Sequence, residues 1–329
     1  MRSLVVRRAG ACTTVEDLGR RGVAHLGVPA GGAFDPIALA AANLLVGNPA
    51  GAAGLELTLG GPELENTGGA ELRLALTGAD FGTTIVLDGG ATVLPRDRAV
   101  TFPRGAILRA GYAARGARAW LAVGGGIAVP PVLGSRSTNL AAGFGGLAGR
   151  ALREGDRLPL GNPADDPSHT ATLGSWSDPD REGIEASPVM LRLLPGPELA
   201  RCAPHTIARL ADTPWTVAAD SNRTGIRLRP AHPGASTGLE GTAGIPPAGT
   251  TLGAVQLPPD GLPIILGPDR PTTGGYAKPA LVIAADLGRL ARLRPGDAVR
   301  FREITLEEAL ELRETRQQAL AGLDREHAT

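Results

Sequence analysis

Glycine and proline interrupt this chain so often that no long regular element can dominate it: 47 glycines and 28 prolines stand among 329 residues. Glycine weakens helix interiors through backbone entropy, and proline through its missing N–H. Yet 43% of the residues are hydrophobic, far more than a disordered chain carries. Many short strands joined by turns reconcile the two facts, and the length suffices for two cores of about 100–200 residues.

The apolar residues have the matching period. Leu72, Leu74 and Leu76 alternate, residues 84–87 run into a glycine turn, and Val100, Phe102 and residues 120–123 continue the series, as half-buried strands require. A polar stretch over 162–187, rich in Asp, Ser, Thr and Pro, interrupts this texture, which resumes at 189–194 and continues through 215–217, 226–228, 255–257 and 263–266. The chain is therefore read as a β domain over 1–165, a linker, and a β domain over 185–329. Two turns repeat across the linker. Leu59-Gly-Gly-Pro-Glu-Leu64 is echoed by Leu194-Pro-Gly-Pro-Glu-Leu199, and Arg153-Glu-Gly-Asp156 by Arg294-Pro-Gly-Asp297; from Gly61 to Gly155 is 94 residues and from Gly196 to Gly296 is 100. The repetition points to duplicated β units.

Helices are few. Asp35-Pro36 opens an apolar run to Val46 that Gly47 closes, an arrangement of cap acceptor, N1 proline and glycine stop. Thr305 with Glu308 three residues on forms a capping box before Leu306, Ala309, Leu310 and Leu312, so a C-terminal helix is predicted on the second domain, fraying after about Leu320.

Charge and composition exclude several functions. Thirty-three basic and 33 acidic side chains cancel, and only ten aromatics are available for stacking, so a nucleic-acid partner lacks both electrostatic drive and stacking platforms. No run of about 18 apolar residues exists and the N-terminus lacks a signal-peptide core, so no membrane partner and a cytoplasmic location are expected. Cys12 and Cys202 lie far apart, and the five histidines show no ligand spacing, which argues against disulfides and a metal site. A P-loop is excluded because the chain has a single lysine, Lys278, in the wrong context. Residues 143–149 approach a dinucleotide fingerprint but have no preceding strand, and Gly234-Ala-Ser236-Thr-Gly238 matches a nucleophile elbow without its strand and helix.

Polar chemistry gathers at two places. Asp17, Arg20, Asp35, Asn43 and Asn48 stand among glycines that let backbone amides approach an anionic group; alternatively Asp35 only caps a helix, Asn48 only fills a turn and Arg20 is solvated. The second cluster, Pro268 to Lys278, holds Asp269, Thr272, Thr273, Tyr276 and the lysine. In a chain with 32 arginines, one lysine kept here points to a need for a compact point charge or a titratable amine. The motif Ser221-Asn222-Arg223-Thr-Gly225-Ile-Arg227 and Gln256 are further candidates at strand edges.

These motifs, in order, resemble the allophanate hydrolase subunit 2 family, also called the biotin-dependent carboxyltransferase family: Thr13-Thr-Val-Glu-Asp-Leu-Gly-Arg20, Gly32-Ala-Phe-Asp-Pro36, Ala42-Asn-Leu-Leu-Val-Gly-Asn48, Gly134-Ser-Arg-Ser-Thr138, Phe144-Gly-Gly-Leu-Ala-Gly-Arg150, Ser221-Asn-Arg-Thr-Gly-Ile-Arg-Leu228, Gly253-Ala-Val-Gln-Leu-Pro258 and Thr272-Thr-Gly-Gly-Tyr276. The resemblance runs from about residue 10 to residue 302. It implies a mainly β fold of two tandem cyclophilin-like β-barrel units with a few short helices. It also implies a role as the C component of an ATP-dependent 5-oxoprolinase, a lactam hydrolase active only in complex with a B-component homologue, of the allophanate hydrolase subunit 1 family, and a separate A-component homologue. ATP is then used by the complex. Two alternatives within the resemblance are the carboxyltransferase part of a biotin-dependent urea carboxylase, with biotin supplied by another domain because no Met-Lys site exists here, and a regulatory protein that antagonises a histidine-kinase inhibitor. The family pattern often has Gln at Glu16, Met at Thr224, Gln at Pro271 and Pro at Ala277, departures that bear most on the substrate. On this reading Lys278, Asp269 and Arg223 are the expected catalytic residues, and Arg20, Asn43, Ser137, Gln256, Thr272 and Tyr276 hold the small-molecule substrate.

Overall fold

The computed structural model describes residues 2–163, 175–232, 234, 237–239 and 244–328. It is mainly β, as expected, and divides into two compact units. One comprises residues 1–20, 31–179 and 317–329, the other residues 21–30 and 180–316.

The first unit is built from two antiparallel sheets. A six-stranded sheet runs in the order Arg157–Pro159, Ser3–Arg8, Glu63–Asn66, Ile107–Arg109, Thr84–Leu87, Gly90–Val93, and a five-stranded sheet in the order Cys12–Glu16, Gly54–Thr58, Arg115–Val123, Leu72–Asp80, Ala99–Phe102. Their facing side chains form one core: Leu4, Val6, Leu64 and Leu108 from the first sheet meet Leu55, Leu57, Leu74, Leu76, Leu121 and Val123 from the second. The outer face of the second sheet is lined by the small residues Ala75, Ala99 and Ala122, and the helix Pro36–Leu45 packs there through Ala41, Ala42 and Leu45. Burial on both faces explains the nearly continuous apolar run 119–123. The helix starts as its sequence predicts, with the Asp35 carboxylate accepting from Ile37 N (3.1 Å) and Ala38 N (3.2 Å). Asp88 (φ 50°) and Gly89 (φ 81°) link Thr84–Leu87 to Gly90–Val93, the left-handed pair that a two-residue hairpin needs.

The second unit is a closed seven-stranded barrel in the order Val189–Pro195, Ala277–Val282, Ala254–Leu257, Ile264–Leu266, Gly225–Pro230, Trp215–Val217, Ala298–Glu303, with the last strand closing on the first in parallel. The echoed turns share their geometry. Val6 N donates to Asp156 O and Gly155 N back to Val6 O; in the other unit Val217 N donates to Asp297 O and Gly296 N back to Val217 O, all at 2.8–3.0 Å. In each turn the aspartate carboxylate also accepts the N–H of the arginine three residues earlier. The same device thus recurs in both units.

Two details depart from expectation. The C-terminal helix, Leu306–Ala328, does not fray at Leu320: Ala309 packs with Ile283, Ala285 and Ile304 of the second unit, whereas Leu323 is buried with Ala41, Leu45 and Trp176 of the first. That apolar anchor holds the last turns. Of the stretch 162–187 read as a linker, residues 164–174 lie outside the described residues, while Trp176 is buried and its N–H reaches Asp97 O at 2.9 Å.

Candidate functional site

In the first unit the polar residues singled out in the sequence turn inward on the protein. The Asp17 carboxylate accepts from Ser135 Oγ (2.6 Å), Ser137 Oγ (2.5 Å), Arg136 N (2.6 Å) and Gly19 N (2.8 Å). Arg20 is buried, stacked 4.7 Å over Phe144, with Nε donating to Val132 O at 3.2 Å and Nη2 donating to Ser137 O. Ser137 and Arg20 therefore latch the loop 132–138 to the loop 17–20. Asn43 spans another turn, donating to Ala52 O (2.7 Å) and accepting from Asn48 Nδ2 (3.0 Å), while Asn48 holds Val123 O and Gly125 N. Asp35 caps its helix. In the glycine-rich loop 143–149, Gly149 N donates to Gly145 O, Gly146 N to Arg136 O and Gly143 N to Asn139 O.

Burial works to raise the Asp17 pKa, but the hydrogen bonds from Ser135, Ser137, Arg136 N and Gly19 N outweigh it and hold the carboxyl below the ordinary aspartate range. A carboxyl depressed in the folded state stabilises the fold above its unfolded value of about 3.9, and this contribution is lost as pH falls through the folded value. Asp17→Asn is expected to lower stability at pH 7 by about 1–3 kcal/mol and to weaken the loss of stability below about pH 4. Urea unfolding at pH 7 and pH 3 checks both; equal pH sensitivity of variant and wild type would contradict this role of Asp17.

The second unit holds six of the predicted residues: Arg223 and Asp269 form one buried ion pair, Lys278 stands in a second, and Thr272, Gln256 and Tyr276 make separate contacts. Arg223 grips Asp269 with a fork, Nε to Oδ2 at 2.8 Å and Nη2 to Oδ1 at 3.1 Å, and Asp269 N donates to Arg223 O at 3.1 Å. Such bidentate pairs are strong and fix orientation. Asp269 thus orients Arg223 and not Lys278. The lysine, 2% exposed on Ala277–Val282, has its Nζ 3.2 Å from Glu198 Oε1, and its backbone N–H donates to Glu198 Oε2 at 3.1 Å. Thr272 is half-buried and accepts from Thr250 N through its carbonyl. The Gln256 amide lies against Gly274, where a Cβ would stand 2.5 Å from Nε2. Tyr276 is 41% exposed and lines a cavity of about 240 Å³ with Arg227, Arg229, Asp260, Leu262 and Ile264.

Two participants, Glu198 and Arg229, are not apparent as site residues in the sequence, whereas Arg227 belongs to the strand-edge motif 221–227. Glu198 sits 80 positions from Lys278; its signal is the echoed Pro-Gly-Pro-Glu turn. Arg227 and Arg229 share one face of Gly225–Pro230 through strand alternation, and Arg227 also pairs with Asp220 at 3.3 Å. Ser236 of the elbow-like string lies outside the described residues. Among the described residues no group of three or more His, Cys, Asp or Glu is placed to hold a metal ion, and no helix is long and apolar enough to cross a membrane.

Comparison with known proteins follows the same lines. Residues 26–303 match the family described as carboxyltransferase domain, subdomain A and B. The C subunit of the 5-oxoprolinase of Escherichia coli K12 is 39% identical over 323 residues, which are 95% of this chain and 95% of that protein. Among solved structures, TTHA0988 superposes with a TM-score of 0.77 at 34% identity over 92% of this chain and 56% of that one. The urea amidolyase of K. lactis gives a TM-score of 0.80 at 29% identity over 98% of this chain and 20% of that one. This chain therefore spans about half of the first solved chain and a fifth of the second. The family match and the end-to-end similarity agree with the order of the sequence motifs, and the chain belongs to the carboxyltransferase-domain family of subdomains A and B.

Proposed function

We propose that this chain is the C component of an ATP-dependent 5-oxoprolinase that opens 5-oxoproline to glutamate, working with a homologue of the B component and a homologue of the A component. The observation that carries the reading is the correspondence along 95% of both chains with a protein named as the C subunit of a 5-oxoprolinase. The urea amidolyase match, by contrast, occupies a fifth of a longer chain. The cavity chemistry supports the same choice, because 5-oxoproline carries a carboxylate and urea does not. Arg229 and the Tyr276 phenol in one cavity suit such a group, beside Arg227, which also pairs with Asp220, and with Asp260 as the only acidic side chain among the described lining residues.

In this scheme two waters, ATP and 5-oxoproline give glutamate, ADP and phosphate. The lactam C–N bond breaks, the ring nitrogen gains a proton, and the carbonyl carbon gains an oxygen. The carbonyl oxygen develops negative charge on the way. Lys278 and Arg223, each held by a carboxylate, stabilise that charge because preoriented cations in a water-poor site need no reorganisation at the moment of reaction. Arg20, Asn43 and Ser137 contribute by fixing the loops 17–20, 132–138 and 48–52. ATP is used by the complex.

The test is turnover of 5-oxoproline and of urea by the assembled complex, each with and without avidin. Glutamate formation that avidin leaves intact supports the reading; avidin-sensitive carboxylation of urea would instead establish the carboxyltransferase reading that the urea amidolyase likeness favours. In the same assay Arg229→Ala is expected to raise KM for 5-oxoproline about 10-fold or more, the worth of a charged hydrogen bond, with kcat within twofold. An unchanged KM would exclude the cavity as the substrate's carboxylate site.

A further inference from the structure

The two echoed turns place a glutamate at the same position and use it differently. Glu63, in the first unit, meets Arg8 Nε at 3.3 Å and Arg109 Nε at 3.8 Å, with both arginine side chains about half exposed. Surface pairs of this kind contribute little. Glu198, in the second unit, meets Lys278 where the lysine is 2% exposed. Around it the turn is clamped on the lysine strand: Gly196 N donates to Pro279 O at 2.8 Å, Lys278 N donates to Glu198 Oε2, and a Cβ at Gly196 would collide with Lys278 O and Ala280 N.

Among the described residues the Lys278 ammonium has no second carboxylate at ion-pair distance and no acceptor in good hydrogen-bond geometry. A buried charge so sparingly satisfied is a costly arrangement for stability alone, since an apolar pair of similar volume serves as well or better. A chain that otherwise writes arginine has kept its one lysine there. Resting on the 5-oxoprolinase reading, we propose that Glu198 is the positioning residue for Lys278: its ion pair holds the ammonium at a fixed place, under a turn that glycine lets lie flat on the strand, for use in turnover.

The single lysine makes the pair directly observable. In the assembled complex Glu198→Gln is expected to lower kcat for 5-oxoproline at least 10-fold with KM within twofold, and Glu198→Asp, which keeps the charge, to recover part of the loss. In the isolated chain, at a temperature where circular dichroism shows the Gln variant folded, the same variant is expected to raise the rate at which acetic anhydride acetylates Lys278, read by mass spectrometry, at least several-fold. Wild-type kcat in the Gln variant, or a loss that Asp does not relieve and that follows the thermal midpoint, would overturn the proposal and leave the 5-oxoprolinase reading standing. An inactive wild-type complex would overturn the reading and the catalytic use of the pair together, and unchanged acetylation in the Gln variant would show that Glu198 does not hold the amine at all.

Discussion

Asp286→Ala is expected to destabilise the second unit by about 3–5 kcal/mol, the cost of stranding buried charges by removing one partner. Asp286 is fully buried and accepts from Arg192 N (2.6 Å), from Arg192 Nε (3.0 Å) and from Arg192 Nη2, with Arg289 Nε at 3.5 Å. Arg289 in turn donates to Asp180 Oδ2 at 2.6 Å and to Met190 O at 2.7 Å. Removing Asp286 leaves Arg192, among the described residues, with the Asp180 carboxylate at 3.4 Å, and frees the N–H of a barrel strand. A domain of ordinary stability, about 5–15 kcal/mol, would lose a large part of it. Urea unfolding reads the effect, and a loss under about 1 kcal/mol would mean that the network is not coupled as its geometry indicates.

The largest effect on activity is expected at Lys278. Lys278→Met keeps the aliphatic stem packed and removes the charge, so turnover of the complex should fall by about 10²–10³-fold, the range seen when one preorganised donor to a developing oxyanion is lost. Circular dichroism and the thermal midpoint of the variant separate this from unfolding. A folded, fully active Met variant would mean that the lysine serves packing, and the catalytic role would pass to Arg223.

Local chemistry is legible in the sequence, and long-range pairing is not. The helix Pro36–Leu45 can be read because its signals, Asp35, Pro36 and Gly47, lie within one dozen residues. The recurring Gly-Asp turn can be read from two short strings, because each makes its own aspartate hydrogen bond and its own glycine conformation. By contrast, Asp17 finds Ser135 and Ser137 more than a hundred positions away, Arg223 finds Asp269 across 46, and Lys278 finds Glu198 across 80. Nothing local distinguishes an arginine that will be buried from one that will be solvated, which is why Arg20, expected on one reading to be solvated, emerges stacked on Phe144. The end of the last helix differs from its sequence expectation for the same reason: its charged residues suggest fraying, and the buried Leu323 that holds it needs neighbours from residues 41–45 and 176. The candidate site is legible as a residue set and not as a set of partners.

The decisive experiment for the 5-oxoprolinase assignment is glutamate formation from 5-oxoproline and ATP by this chain with the A-component and B-component homologues of its own genome, omitting each in turn. The predicted result is ATP-dependent glutamate formation that disappears when this chain is left out. Undiminished activity without it, or none from a well-formed complex, would contradict the assignment.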